Sequence, residues 1–242
     1  MLQAAFWGGV AGSAVLLGCF TGLALHIPKK WTAWIMAFGT GILIGAVSFE
    51  LLIEAVEQSN LMITAIGFIS GSAIFTIINS ILSKKGGHER KKSGVKKAKG
   101  VGMAIFFGTL LDAIPESVLI GASLIEQSKV SWLLVIAIFL SNFPEGLSSS
   151  IGLLKEGFSK KKIIGMWISV FVISAIAALL GFVLLEGASV ASLSLIGAFA
   201  GGAIMAMVAS TMLPEAHEDA GAAVGLITSI GLLSSLVLTH FS

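Results

Sequence analysis

A single cysteine, Cys19, is the only thiol in this chain. That excludes a disulfide framework within the chain and a cysteine metal cluster. Charge is also scarce: Asp, Glu, Lys and Arg make up 12% of 242 residues, against 56% hydrophobic residues and a mean hydropathy of +0.99. An ordinary soluble domain needs more charge than that, so the composition is that of an integral membrane protein. No glycine-rich phosphate loop of the form G-x-x-x-x-G-K-S/T occurs, and no ATP site of that kind is expected. The four histidines, His26, His88, His217 and His240, lie outside the centres of the apolar segments, and no serine stands in an exposed elbow motif. A nucleophilic triad cannot be assembled from these residues, and the chain is read as a non-enzyme without a resident cofactor.

Long apolar runs dominate what remains. Requiring about 20 predominantly apolar residues per crossing gives eight spans: 4–26, 31–56, 61–83, 101–125, 131–154, 164–186, 191–213 and 220–241. Lipid offers no partner to an unpaired backbone group, so segments of this length cross as helices. The expected fold is all-α, an eight-transmembrane-helix bundle forming one transmembrane domain over 1–242. The first run has no basic stretch before it and is longer than a signal-peptide core, so it reads as a retained helix. Glycine is abundant, with 29 residues, and its near-helical spacing at Gly8, Gly12 and Gly18 and at Gly197, Gly201 and Gly202 marks faces where helices approach closely. Trp7, Trp31, Trp34, Trp132 and Trp167 fall at or close to span ends and are expected to be interfacial anchors.

Lysine and arginine orient the bundle. Fourteen of the fifteen lie between spans one and two, three and four, or five and six, and Lys129 alone falls on the other side. By the positive-inside rule these three loops are cytoplasmic and both termini face outward. The loop 84–100 is basic and poor in apolar residues, a lipid-surface segment rather than a nucleic-acid-binding one.

The middle of the chain carries one pattern twice, as Asp112-Ala113-Ile114-Pro115-Glu116-Ser117 and Ser141-Asn142-Phe143-Pro144-Glu145-Gly146. An ionised side chain at bilayer depth costs about 2.5–3.5 kcal/mol, so such residues face a water-filled path or a bound ion. Each proline also deprives the carbonyl one turn earlier, at Leu111 or Leu140, of its helical donor. Asp112 and Glu116 are four apart, as are Ser141 and Glu145, and Asn142 precedes Glu145 by three, so each helix shows oxygen ligands on one face. Facing each other, the two would form an oxygen-rich cation site. The alternative is a pair of kinks with acids neutralised inside the bundle.

A second echo links 41–57 with 202–218 at an offset of 161, where Gly41, Val47, Leu52, Glu54-Ala55 and Glu57 recur as Gly202, Val208, Leu213, Glu215-Ala216 and Glu218. Both echoes join spans that run in opposite directions. They are expected to reflect inverted repeats, spans one to three against six to eight around the central pair four and five, an arrangement found in transporters with substrate at the repeat interface. Glu54, Glu215 and His217 read either as way-stations for the ion or as interfacial charges facing water.

Eight spans with outward termini, a basic loop after span three, Asn142-Phe143-Pro144-Glu145-Gly146 in span five and Leu213-Pro214-Glu215-Ala216-His217 ending span seven together resemble the ZIP family of zinc- and iron-regulated-transporter-like proteins. The resemblance covers nearly the whole chain. It implies uptake of a divalent metal of the Zn, Fe or Mn class toward the cytoplasm, through a site at Asp112, Glu116, Ser141, Asn142 and Glu145, in a multi-pass cell-membrane protein of the bacterial inner membrane type. Where the family pattern opens with histidine, this chain has Asp112 and Ser141. The donor set is therefore all oxygen, which suits Mn²⁺ better than Zn²⁺. Two further alternatives stay open at this point: a proton-coupled carrier or exporter of another small solute, and association as a homodimer.

Overall fold

The computed structural model describes residues 1–84, 101–126 and 130–240. Regular structure among the described residues is entirely helical, and eight helices are long and apolar enough to cross a membrane. They are α1 (Leu2–Ala24), α2 (Lys29–Gln58), α3 (Leu61–Lys84), α4 (Val101–Glu126), α5 (Trp132–Lys155), α6 (Lys160–Leu185), α7 (Val190–Ala220) and α8 (Ala223–His240). The basic loop expected at 84–100 lies outside the described residues, apart from Lys84 at the end of α3.

Local sequence explains where several helices stop and start. Glu156-Gly157-Phe158-Ser159 and Glu186-Gly187-Ala188-Ser189 follow one recipe. Gly157 (φ 92°) and Gly187 (φ 81°) take the left-handed conformation that ends a helix cheaply only at glycine. Ser159 and Ser189 then cap the next helix, accepting the backbone N–H groups of Lys162 and Ser192. Ser131 caps α5 in the same way. Each such cap contributes about 1 kcal/mol.

Both α2 and α7 contain a π-helical stretch, Ala46–Leu52 and Val208–Met212. Shifted by 161 residues the first would cover 207–213, so the two interruptions occupy the same place in the echoed sequence. In α7 the stretch also accounts for Pro214. The proline falls in the first turn of the segment that follows, where its missing N–H costs little, and the helix continues seven residues beyond the expected end at 213.

Packing divides the helices into two groups. One consists of α1, α4, α5 and α6, the other of α2, α3, α7 and α8. Within the second group α2 meets α8 through Gly41 against the Thr228 carbonyl and Gly231 against the Phe38 carbonyl. Its counterpart, α7 on α3, meets through Gly202 against the Phe68 carbonyl and Gly71 against the Phe199 carbonyl. Phe38 and Gly41 plus 161 are Phe199 and Gly202, so the two contacts are one contact built twice. In the first group α1 on α5 (Gly18, Gly146) and α6 on α4 (Gly181, Gly121) repeat the same backbone-to-backbone approach. None of these contacts would admit a β-carbon without a shift, and such close packing is what holds helices together in lipid.

Burial follows from position in the bundle. Ile66, Ile69 and Ile77 of α3 and Leu226, Leu233 and Val237 of α8 are exposed, as lipid-facing side chains must be. By contrast α4 and α5 are the most enclosed helices. One expectation is corrected here: Trp167 is not an interfacial anchor. Because α6 starts at Lys160, Trp167 lies two turns inside it, wholly buried, and its indole N–H donates to Ser150 Oγ at 2.7 Å. Trp31 and Trp132 are exposed near helix starts, and Trp7 packs edge-on against Trp132 at 4.7 Å.

Candidate functional site

Pro115 and Pro144 sit inside continuous helices. The proline at 144 removes the N–H that would pair with the Leu140 carbonyl, and that carbonyl is covered by α2, where a β-carbon on Gly39 would stand 2.8 Å from it. This close approach brings α2, from one helix group, against α5, from the other.

Between α4 and α5 lie the acids. Asp112, Glu116 and Glu145 are 3%, 1% and 2% exposed. Glu116 Oε2 accepts a hydrogen bond from Asn142 Nδ2 at 2.9 Å, and Glu145 Oε1 accepts one from Thr109 Oγ1 at 2.9 Å. Each helix thus lends a neutral donor to a carboxylate of the other. Glu116 Oε1 is buried and has no protein donor. Asp112 and Glu145 both act electrostatically on Glu116. Among the described residues, no three His, Cys, Asp or Glu side chains are gathered tightly enough to hold an ion. Carboxylates in a low-dielectric interior repel one another, and here the amide and the hydroxyl hold two of them at separate stations.

The remaining residues singled out from sequence fall elsewhere. Ser141 is buried beside the cluster, but its hydroxyl donates to the Ile138 carbonyl of its own helix at 2.9 Å. Glu54, near the end of α2, accepts from Gln58 Nε2 at 2.7 Å. Glu215, on α7, accepts from Ser148 Oγ at 3.0 Å, a link from one helix group to the other three residues past Glu145. His217 is exposed on the same short helical segment.

Three further residues take part, of which Glu50, one turn before Glu54, stands out in the sequence and Thr109 and Ser148 do not. Thr109 stands three residues before Asp112, on the same face of α4, and that spacing was the available signal. Ser148 stands three after Glu145. The third is Glu50, in the π stretch of α2, which accepts a hydrogen bond from the capping hydroxyl of Ser131. No local signal joins residues 81 positions apart.

At the lysine-bearing end a cavity of about 400 Å³ opens between α1, α2 and α5, lined among others by Leu23, Thr32, Leu147, Ser148, Lys160 and Asp219. Lys29 pairs with Asp219 at 3.5 Å at its edge. At the opposite end, the Glu50–Ser131 bond and the Trp7–Trp132 contact tie α2 and α1 to the start of α5.

No individual curated protein matches the sequence. The family model described as "ZIP Zinc transporter" matches residues 80–240, 161 of the 242 residues, and takes in both Pro–Glu copies and the 213–217 run. At family level the match supports a membrane protein that transports metal ions rather than an enzyme. On that match, this chain belongs to the ZIP zinc transporter family.

Proposed function

We propose that the transported ion is bound between α4 and α5 by Asp112, Glu116, Asn142 and Glu145, with Ser141 beside them, and passes toward the lysine-bearing side without ATP. The observation that carries this reading is the reciprocal bonding of two deeply buried carboxylates, each held by a neutral donor from the facing helix. Such an arrangement keeps an ion-free site from paying the full cost of bare charge, and the donors can be exchanged for a cation.

The reading of direction rests on the cavity at the lysine-bearing end, taken as the exit. The Glu50–Ser131 bond and the Trp7–Trp132 contact tie helices together at one end, and the cavity lies at the other, next to the Ser148–Glu215 link. Glu54 lies on the entry side of this route, and Glu215 and His217 on the exit side. Transport would proceed as one helix group slides against the other, since the close glycine contacts, apart from Gly39 of α2 against Leu140 of α5, lie within each group. We assign the lysine-bearing side to the cytoplasm and both termini to the outside, which accessibility of a tag on Ser242 in intact cells would contradict if the tag were protected.

All the proposed donors are oxygens, which favours a hard ion such as Mn²⁺ over Zn²⁺. Uptake by the purified protein in vesicles, with Mn²⁺, Fe²⁺ and Zn²⁺ competing against each other, tests the function. Saturable uptake without ATP is expected, with Mn²⁺ the better competitor. Absence of divalent uptake, together with proton-coupled movement of another solute, would favour the carrier alternative.

A further inference from the structure

The central acids are assigned above as ligands, and the hydroxyl that holds one of them has no role yet. We propose that Thr109 sets how tightly the transporter holds its ion, by competing with the ion for Glu145. This rests on the reading that Glu145 is a metal ligand.

Thr109 is 2% exposed, and its side chain donates to Glu145 Oε1 at 2.9 Å. A threonine hydroxyl carries one proton, and here it is given to a carboxylate, one of the stronger hydrogen bonds available to a neutral donor. Position decides what the bond does. On α4 the residues Thr109, Asp112 and Glu116 share one face, with Thr109 about 4.5 Å along the axis from Asp112 and about 10 Å from Glu116, toward the lysine-bearing end. A Glu145 carboxylate bound to Thr109 is therefore drawn toward that end, away from the level between Asp112 and Glu116. That agrees with the absence of a gathered three-acid cluster among the described residues.

To complete a shell with Asp112 and Glu116, Glu145 must leave the hydroxyl. To release the ion toward the cavity, it must return. The Thr109 hydroxyl thus lowers affinity and speeds release. Were it instead an orienting bond kept throughout, with the second carboxylate oxygen on the metal, its loss would weaken binding. The two roles predict opposite signs.

The experiment compares wild type, Thr109→Val, Thr109→Ser and Glu145→Ala in Mn²⁺ uptake by reconstituted vesicles, with equilibrium Mn²⁺ binding to the purified proteins. Valine keeps the shape of threonine and lacks the hydroxyl. Thr109→Val is expected to lower KM and the Mn²⁺ dissociation constant about tenfold and to lower kcat by a similar factor, with kcat/KM nearly unchanged. Thr109→Ser should restore all three to within about twofold. If valine at this place prevents insertion, Thr109→Ala carries the same expectation. A KM that is unchanged or raised, while Glu145→Ala is inactive, overturns the role of Thr109 and leaves the metal site standing. Full transport by Glu145→Ala overturns both.

Discussion

In the first Pro–Glu copy Glu116 takes an amide from the facing helix, and in the second Glu145 takes a hydroxyl. Their backbones are held differently too. Gly146 directly follows Glu145 and lies against the Val15 carbonyl of α1, so the main chain beside this acid is clamped. Ser117 follows Glu116 and donates back to the Ala113 carbonyl at 2.7 Å, and the close approach of α6 falls on the next residues, with Gly181 against the Val118 carbonyl and Gly121 against the Ala178 carbonyl. The same six-residue pattern thus yields one acid followed directly by the glycine on which α1 packs, and one followed by a serine bonded within its own helix, with the packing against α6 beginning at Val118. Near-identity in sequence does not make the copies mechanically equivalent, because the residue after each glutamate decides which neighbour can approach.

Breaking the copies one at a time gives the largest expected effect. Glu116→Ala and Glu145→Ala should each reduce divalent uptake by at least about 100-fold while expression and folding persist. Loss of an outer partner of a metal ligand alone costs about 10–100-fold in affinity, and here a charged ligand is removed. Vesicle uptake alongside thermal unfolding in detergent measures both. Equal and full activity in either mutant would remove that copy from the path.

Backbone clamping should separate the copies next. Gly146→Ala pushes a β-carbon into Val15, whose Cα would lie 2.7 Å away, and is expected to destabilise the protein by about 1–3 kcal/mol. Ser117→Ala removes only a hydroxyl bonded within its own helix, and its effect should stay below about 1 kcal/mol. Thermal unfolding of the two variants side by side decides it. Equal destabilisation would mean that the contact at Gly146 is not the clamp.

The smallest expected effect is on selectivity. Ser141 lies one turn before Glu145 on the same helix, and an imidazole there reaches farther than the hydroxyl that now bonds Ile138. Ser141→His should raise affinity for Zn²⁺ relative to Mn²⁺ by roughly tenfold, because imidazole nitrogen suits zinc. Competition between the two ions in uptake measures the ratio. An unchanged ratio would place the selecting ligands outside this pair, with Glu54, Glu215 or His217 the next residues to test.

The eight crossings were legible because lipid imposes a length on every apolar segment, and all eight helices correspond to the expected spans. The 161-residue echo was legible as well, since the glycines and phenylalanines it relates make the same contacts twice. Less could be read where a residue has an ordinary local role. Pro214 reads as a helix stop, and nothing in its neighbours announces the π stretch that lets α7 run on to Ala220. Thr109 reads as a helix-interior threonine until Glu145 is seen across from it. Trp167 was misplaced because Lys160, Lys161 and Lys162 look like loop, whereas the Ser159 cap makes them the first turn of α6. Asp112, Glu116 and Glu145 stood out for the opposite reason: acids are costly in the middle of apolar helices.

An ion held among oxygens donated by both copies has a coordination shell that can be read directly. X-ray absorption of the purified protein loaded with one equivalent of Zn²⁺, compared with Glu116→Ala and Glu145→Ala, tests it most directly. A first shell of oxygen only is expected in the wild type, with no imidazole scattering, and the bound metal should be lost in both mutants. A histidine signature in the wild type, or the same spectrum in all three proteins, would contradict it.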